Sequence, residues 1–145
     1  MKLLIGVLLT FSGHFFDFPP ADENVSSSVI RSFNKMFSNV ESAKWNATGK
    51  DVTVKFSQDN VAYHVFYNKK GKWLATIQTL PLEHLPKWVN ARVKSDFGNY
   101  SVFLAQHVKT PAAWTYLVKI EKGKDWKIVK INREATEVVG EYVRN

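Results

Sequence analysis

The side chains that could bind a metal or move a proton near neutral pH are His14, His64, His84 and His107. None of them stands at the close helical or strand spacing by which two ligands reach one ion. Asp51, Asp59 and Asp125 are each isolated, whereas a calcium loop needs several oxygen donors at short alternating spacing. Asp22 and Glu23 form an acidic pair suited to the N-terminal side of a helix. The chain has no GxSxG nucleophile elbow and no GxxxxGK[ST] or GxGxxG phosphate loop. It also has no cysteine, so thiol nucleophiles, thiolate metal sites, disulfides and a lipidated N-terminal cysteine are excluded. A pair of carboxylates far apart in the chain, as in glycosidases, is the one enzymatic arrangement left open. The expectation is a protein that is not an enzyme and carries no cofactor and no metal.

What remains is binding. The chain has 145 residues and a net charge of +7, a balance that suits an anionic partner but also serves ordinary solubility. Lysines concentrate at two turn-like stretches, Lys69, Lys70 and Lys72, then Lys122 and Lys124, with Lys119, Lys127 and Lys130 near the second. Five tryptophans raise the question of a stacking surface. Trp73, Trp114 and Trp126 fall in phase with core residues, Trp88 falls on a helix's apolar face, and Trp45 is left open. With its rings in the core, the chain is not expected to bind nucleic acid.

The elements that must position these residues can be read from periodicity. Residues 3–11 (LLIGVLLTF) follow Met1-Lys2 and have the length of a signal-peptide core rather than of a membrane span. The expected signal covers residues 1–21; the competing reading is a buried first element of a cytoplasmic protein. Residues 17–28 read as a polar, proline-containing lead-in, in which Ser26, Ser27 or Ser28 caps the next helix. Val29, Phe33, Met36, Phe37 and Val40 then recur at spacings of three and four, which makes one helical face. Alternating strands follow through Val52, Val54 and Phe56, through Tyr63, Val65 and Tyr67, and through Trp73, Ala75 and Ile77. A short strand around Trp45 precedes them.

The pattern then restarts. Leu80-Pro81 and Leu85-Pro86 open a second helix with Leu85, Trp88, Val89 and Val93 on its apolar face. Strands follow at residues 102–108, at Trp114, Tyr116, Val118 and Ile120, at Trp126 and Ile128, and at residues 137–143. An offset of 53 places Tyr63, Val65, Lys69 and Trp73 on Tyr116, Val118, Lys122 and Trp126. The expected fold class is α+β. Residues 22–145 form one domain of two tandem helix-plus-antiparallel-meander repeats, about 25–79 and 80–143, sharing one sheet with both helices on one face.

Three stretches carry a family resemblance: residues 37–45 (FSNVESAKW), 63–73 (YHVFYNKKGKW) and 80–89 (LPLEHLPKWV). Over about residues 25–143 the chain resembles the PepSY-like family of secreted bacterial proteins, found mainly in Bacteroidetes and related in fold to the beta-lactamase inhibitor protein. Family members often carry Pro and Ala where this chain has Ser38 and Val40. The resemblance implies a periplasmic or secreted location and a two-repeat α+β fold, with no catalysis and no established ligand.

Given that frame, the sheet face away from the helices is expected to carry His64, Phe66, Leu74, Thr115, Leu117, Lys119, Lys127 and Val129. Such a mixture of aromatic, aliphatic and basic groups suits a protein partner, here an unidentified envelope protein, although it is also compatible with an ordinary sheet exterior. The alternative is an anionic polymer or membrane surface held by Lys69, Lys70, Lys72, Lys122 and Lys124, which would share one edge if the repeats stand side by side. The chain is expected to be a monomer or weak dimer.

Overall fold

The computed structural model describes residues 24–145. The expected signal segment, residues 1–21, and His14 lie outside the described residues.

Ser26 caps the first helix, α1 (Ser27–Met36), by accepting from the Val29 backbone N–H at 3.4 Å. Four strands follow: β1 (Lys44–Thr48), β2 (Asp51–Gln58), β3 (Val61–Asn68) and β4 (Trp73–Leu80). A 3₁₀ turn (Leu82–His84) leads through Pro86 into α2 (Lys87–Asp96). Pro86, with φ −56°, needs no backbone N–H there, since the first helical N–H groups have no intrahelical acceptor. Then come β5 (Ser101–Lys109), β6 (Trp114–Lys122), β7 (Asp125–Ile131) and β8 (Thr136–Val143). The eight strands form one sheet in chain order, each antiparallel to the next.

Both helices pack on the same face. Val29 and Phe33 of α1 meet Val52, Val54, Phe56, Val65 and Tyr67. Leu85, Val89 and Val93 meet Ala105, Val118, Ile120, Val129 and Ile131. The register joins these two cores, because Tyr63, Gln78, His107, Tyr116 and Ile131 are successive cross-strand partners and so point to one side.

The spacing of 53 does not survive this topology. It pairs β3 with β6, which run in opposite directions because an odd number of antiparallel steps separates them. A unit copied along one sheet with its helix on the same side must keep its strand direction. Element order instead matches β2 with β6 and β3 with β7. In that match Val54 and Phe56 correspond to Val118 and Ile120, and Val65 and Tyr67 to Val129 and Ile131, all of them buried.

Two further expectations change with the register. A bulge sets Phe66 opposite Ala75 but Tyr67 opposite Trp73, leaving Leu74 as the extra, half-buried residue. Beyond it the phase of β4 is reversed. Thr76 lies on the helix side, where its hydroxyl accepts from the Trp73 indole at 2.9 Å, and Ala75 and Ile77 lie on the other face. In β7, Val129 is fully buried beneath α2, so it is not on the open face. Lys127 shares its side, reaches over the Tyr100 ring and pairs with Glu141. Trp126 and Ile128 are the open-face residues, and Trp126 stacks on Tyr142 with ring centroids 4.3 Å apart.

Candidate functional site

The face of the sheet that neither helix covers is ordered in rows by strand register. One row runs Lys44, Lys55, His64, Ile77, Val108, Thr115 from β1 to β6. Another runs Ala62, Thr79, Gln106, Leu117, Lys130, Glu137 from β3 to β8. Phe66 sits beside the first row, and Lys119 lies beyond the second. The expected residues His64, Phe66, Thr115, Leu117 and Lys119 therefore share this face, whereas Leu74 is taken up by the bulge, and Lys127 and Val129 point the other way.

The face is not flat. A groove of about 650 Å³ opens at its β1–β5 side, lined among others by Lys44, Lys55, His64, Ile77, Thr79 and Gln106 and, from the loop before β1, by Glu41. Lys55 and His64 follow from the alternation of β2 and β3, whereas Thr79 is in the phase of β4 that alternation puts in the core, and the convergence of all of them depends on pairing. Ile77 and Thr79 reach the groove only because of the bulge.

His64 is the most constrained polar group of the groove. Its ring lies 4.1 Å from that of Phe66, and its Nε2 is enclosed without a protein partner among the described residues. Burial, and then the positive charge of Lys55, hold its pKa below the ordinary imidazole value of 6.5.

The lysine turns do not share one edge. Strand directions alternate, so the β1–β2, β3–β4, β5–β6 and β7–β8 turns lie at one end of the sheet, and the β2–β3 and β6–β7 turns at the other. Lys69, Lys70 and Lys72 accordingly stand with Lys50, and the Lys69 N–H donates to the Lys50 carbonyl at 3.2 Å. Lys122 and Lys124 occupy the opposite end.

The tryptophans divide in a way the sequence did not show. Trp45 packs edge-on to Phe33 at 5.0 Å, and Trp73 joins the same core. Trp114, expected in the core, is 68% exposed at the start of β6. It borders a second, smaller cavity on the helix side, together with Trp88, His107 and Tyr116.

Among the described residues no group of three or more His, Cys, Asp or Glu side chains is placed to hold a metal ion, and no helix is long and apolar enough to cross a membrane. His64 and His107 lie on opposite faces of the sheet, which by itself prevents them from sharing an ion.

One continuous antiparallel sheet with two helices on one side is the fold of the β-lactamase-inhibitor-protein-like (BLIP-like) proteins. A BLIP-like protein of Bacteroides fragilis superposes with a TM-score of 0.66 at 20% identity, covering 81% of this chain and 85% of that one. A DUF2874 family protein of Bacteroides ovatus gives 0.65 at 20% identity, covering 78% and 86%. A candidate periplasmic protein of Bacteroides eggerthii gives 0.67 at 14% identity, covering 82% and 88%. At such identities the likeness shows the fold. No protein-family model and no curated protein matches the chain by sequence.

Proposed function

We propose that this chain is a non-enzymatic binding module of the cell envelope, a PepSY-like protein built by duplication of a helix-plus-four-strand unit, that docks a protein partner on the open face of its sheet. The observation that carries the reading is the uncovered sheet face, with a groove at its β1–β5 side. Ile77, Lys44, Lys55 and Glu41 line the groove itself. On the same face beside it Phe66, Val108 and Leu117 add half-buried apolar surface, with Lys119 and Lys130 on the far side. An apolar centre with a charged rim is the usual anatomy of a protein interface. The partner that fits is a protein loop with an apolar tip and acidic flanks. Export is supported by the basic-then-apolar N-terminus and by the candidate periplasmic protein among the structural neighbours. An inhibitor-like action, blocking the partner's own site, is compatible with a groove of this kind.

The test is capture of a partner from an envelope extract by the full chain, compared with the Phe66→Ala/Leu117→Ala double variant. Loss of one retained protein in the double variant, with unchanged thermal stability, is the expected result. Equal retention by both chains would remove this face from consideration.

A second reading rests on the end of the sheet where Lys50, Lys69, Lys70 and Lys72 gather. An anionic polymer or membrane surface held there would be released as salt rises to physiological strength, because exposed charges are screened over about 8–10 Å. Lys122 and Lys124, at the far end, would contribute nothing to that site.

A further inference from the structure

The cavity bordered by Trp114 has the features of a separate ligand site. It measures about 220 Å³ and lies on the helix side of the sheet, lined by Trp88, His107, Trp114, Tyr116, Asn132 and Arg133. The aromatic side chains are arrayed in series. Trp88 meets Tyr116 edge-on at 5.7 Å, Tyr116 stacks on His107 at 4.3 Å, and His107 meets Trp114 edge-on at 6.0 Å. Two cations are held against the indoles. The Arg133 guanidinium lies 4.3 Å from the Trp88 ring centroid, and the Lys109 ammonium 5.3 Å from that of Trp114.

Three properties select the occupant. The cavity is smaller than the several hundred Å³ usual for drug-sized ligands, so it suits a single ring. It is lined by no carboxylate, and Arg133 and Lys109 give it positive charge, so the ring should carry an acid. Its polar edges are rich in donors. Asn132 Oδ1 already accepts from the N–H groups of Glu134 and Ala135 at 2.9 and 2.8 Å, which leaves the side-chain NH₂ to donate outward. Arg133 adds further donors. A ligand rich in oxygen acceptors matches this edge better than a plain hydrocarbon ring. The exposure of Trp114 points the same way. A tryptophan at 68% exposure contributes little to the core, yet offers a broad ring to the C–H face of a sugar.

We propose that this pocket binds a hexuronate unit, a carboxylated pyranose, which stacks on Trp114 and pairs its carboxylate with Arg133. The site is independent of the open sheet face, which lies on the other side of the sheet. It is also distinct from the lysine turn at Lys69–Lys72, although both stand at the same end.

The test uses the full chain and trigalacturonate as probe, read by the indole N–H resonances of the five tryptophans and by fluorescence titration. Saturable binding that shifts two indole resonances is expected. Both Trp114→Ala and Arg133→Gln should weaken it at least tenfold, while a Lys69→Gln/Lys70→Gln/Lys72→Gln variant binds within threefold of the original. Circular dichroism and thermal melting establish that each variant is folded. Equal binding of a neutral trisaccharide, tighter binding of benzoate than of the uronate, greater loss in the lysine variant than in Trp114→Ala, or no binding would each overturn the proposal.

Discussion

The hydroxyl of Ser32 in α1 donates to the carbonyl oxygen of Gly71 at 2.6 Å, which ties the first helix to the turn between β3 and β4. Ser26 does the same one helical turn and a half earlier, donating to the Lys69 carbonyl at 2.9 Å. Gly71 itself has φ +87°, and a Cβ added there would lie 2.6 Å from the Ser28 carbonyl oxygen. The helix approaches the turn too closely to admit a side chain.

Gly71→Ala is therefore expected to destabilise the protein by about 2–4 kcal/mol, from the left-handed backbone and the clash together. Gly49 and Gly123 also have positive φ, but nothing lies within 4 Å of an added Cβ. Their alanine variants should lose only about 1 kcal/mol. Urea denaturation of the three variants measures the difference; equal losses would mean that the contact with Ser28 carries no energy.

The phase of β7 can be tested by charge. Val129→Lys buries an unpaired ammonium beneath α2 and should unfold the chain or cost more than about 4 kcal/mol. Ile128→Lys places the same group on the open face and should cost no more than about 1.5 kcal/mol. The opposite order in thermal melts would restore the phase expected from local alternation.

Phe33 is fully buried and meets Trp45 and Phe56 edge-on at 5.0 and 5.5 Å. Phe33→Ala should cost about 3–5 kcal/mol, as for other large-to-small changes in a packed core. An aromatic cluster that could collapse around the gap would show as a smaller loss in the same denaturation experiment.

Stability should depend on pH at both ends of the range. His64 and His107 have pKa values lowered first by burial, then by Lys55 and Lys109 respectively. The unfolded chain thus binds protons more readily than the folded one. Stability is complete above the unfolded value of 6.5 and declines as pH falls below it. Tyr67 is pushed up to about 12 by burial, so its contribution is present below pH 10 and lost as pH rises from 10 towards 12. A His64→Gln/His107→Gln variant should flatten the acid limb of a melting-temperature profile and leave the alkaline limb intact. An unchanged acid limb would assign that loss to other groups.

Much of the architecture could be read from periodicity. The α1 face of Val29 and Phe33, the α2 face of Val89 and Val93 with Leu85 just before it, and the alternation through β2, β3 and β6 are local patterns, and Val52, Val54, Phe56, Val65, Tyr67, Val118 and Ile120 are buried with them, whereas Trp114 is not. His64, Phe66, Leu117 and Lys119 followed from the same alternation. Residues 125–131 (DWKIVKI) were degenerate. Trp126, Ile128 and Lys130 make one phase, Lys127, Val129 and Ile131 the other, and each has two apolar side chains and one lysine. Hydrophobicity along the strand cannot break that tie. Pairing does, because Val118 opposite Val129 and Tyr116 opposite Ile131 bring both onto the face that α2 covers.

The sequence by itself determined the class of elements, their order, the lack of cysteine chemistry and the excess of positive charge, since each of these is a property of residues near one another in the chain or of the chain as a whole. Only the tertiary structure decided which ends of the sheet the lysine turns occupy, that Ile77 faces the groove, and that Trp114 stands exposed beside Trp88 and Arg133. Those facts depend on strand direction, on a one-residue bulge and on contacts between residues far apart in sequence. Because side chains alternate with period two, a single inserted residue reverses a face, and nothing local records it.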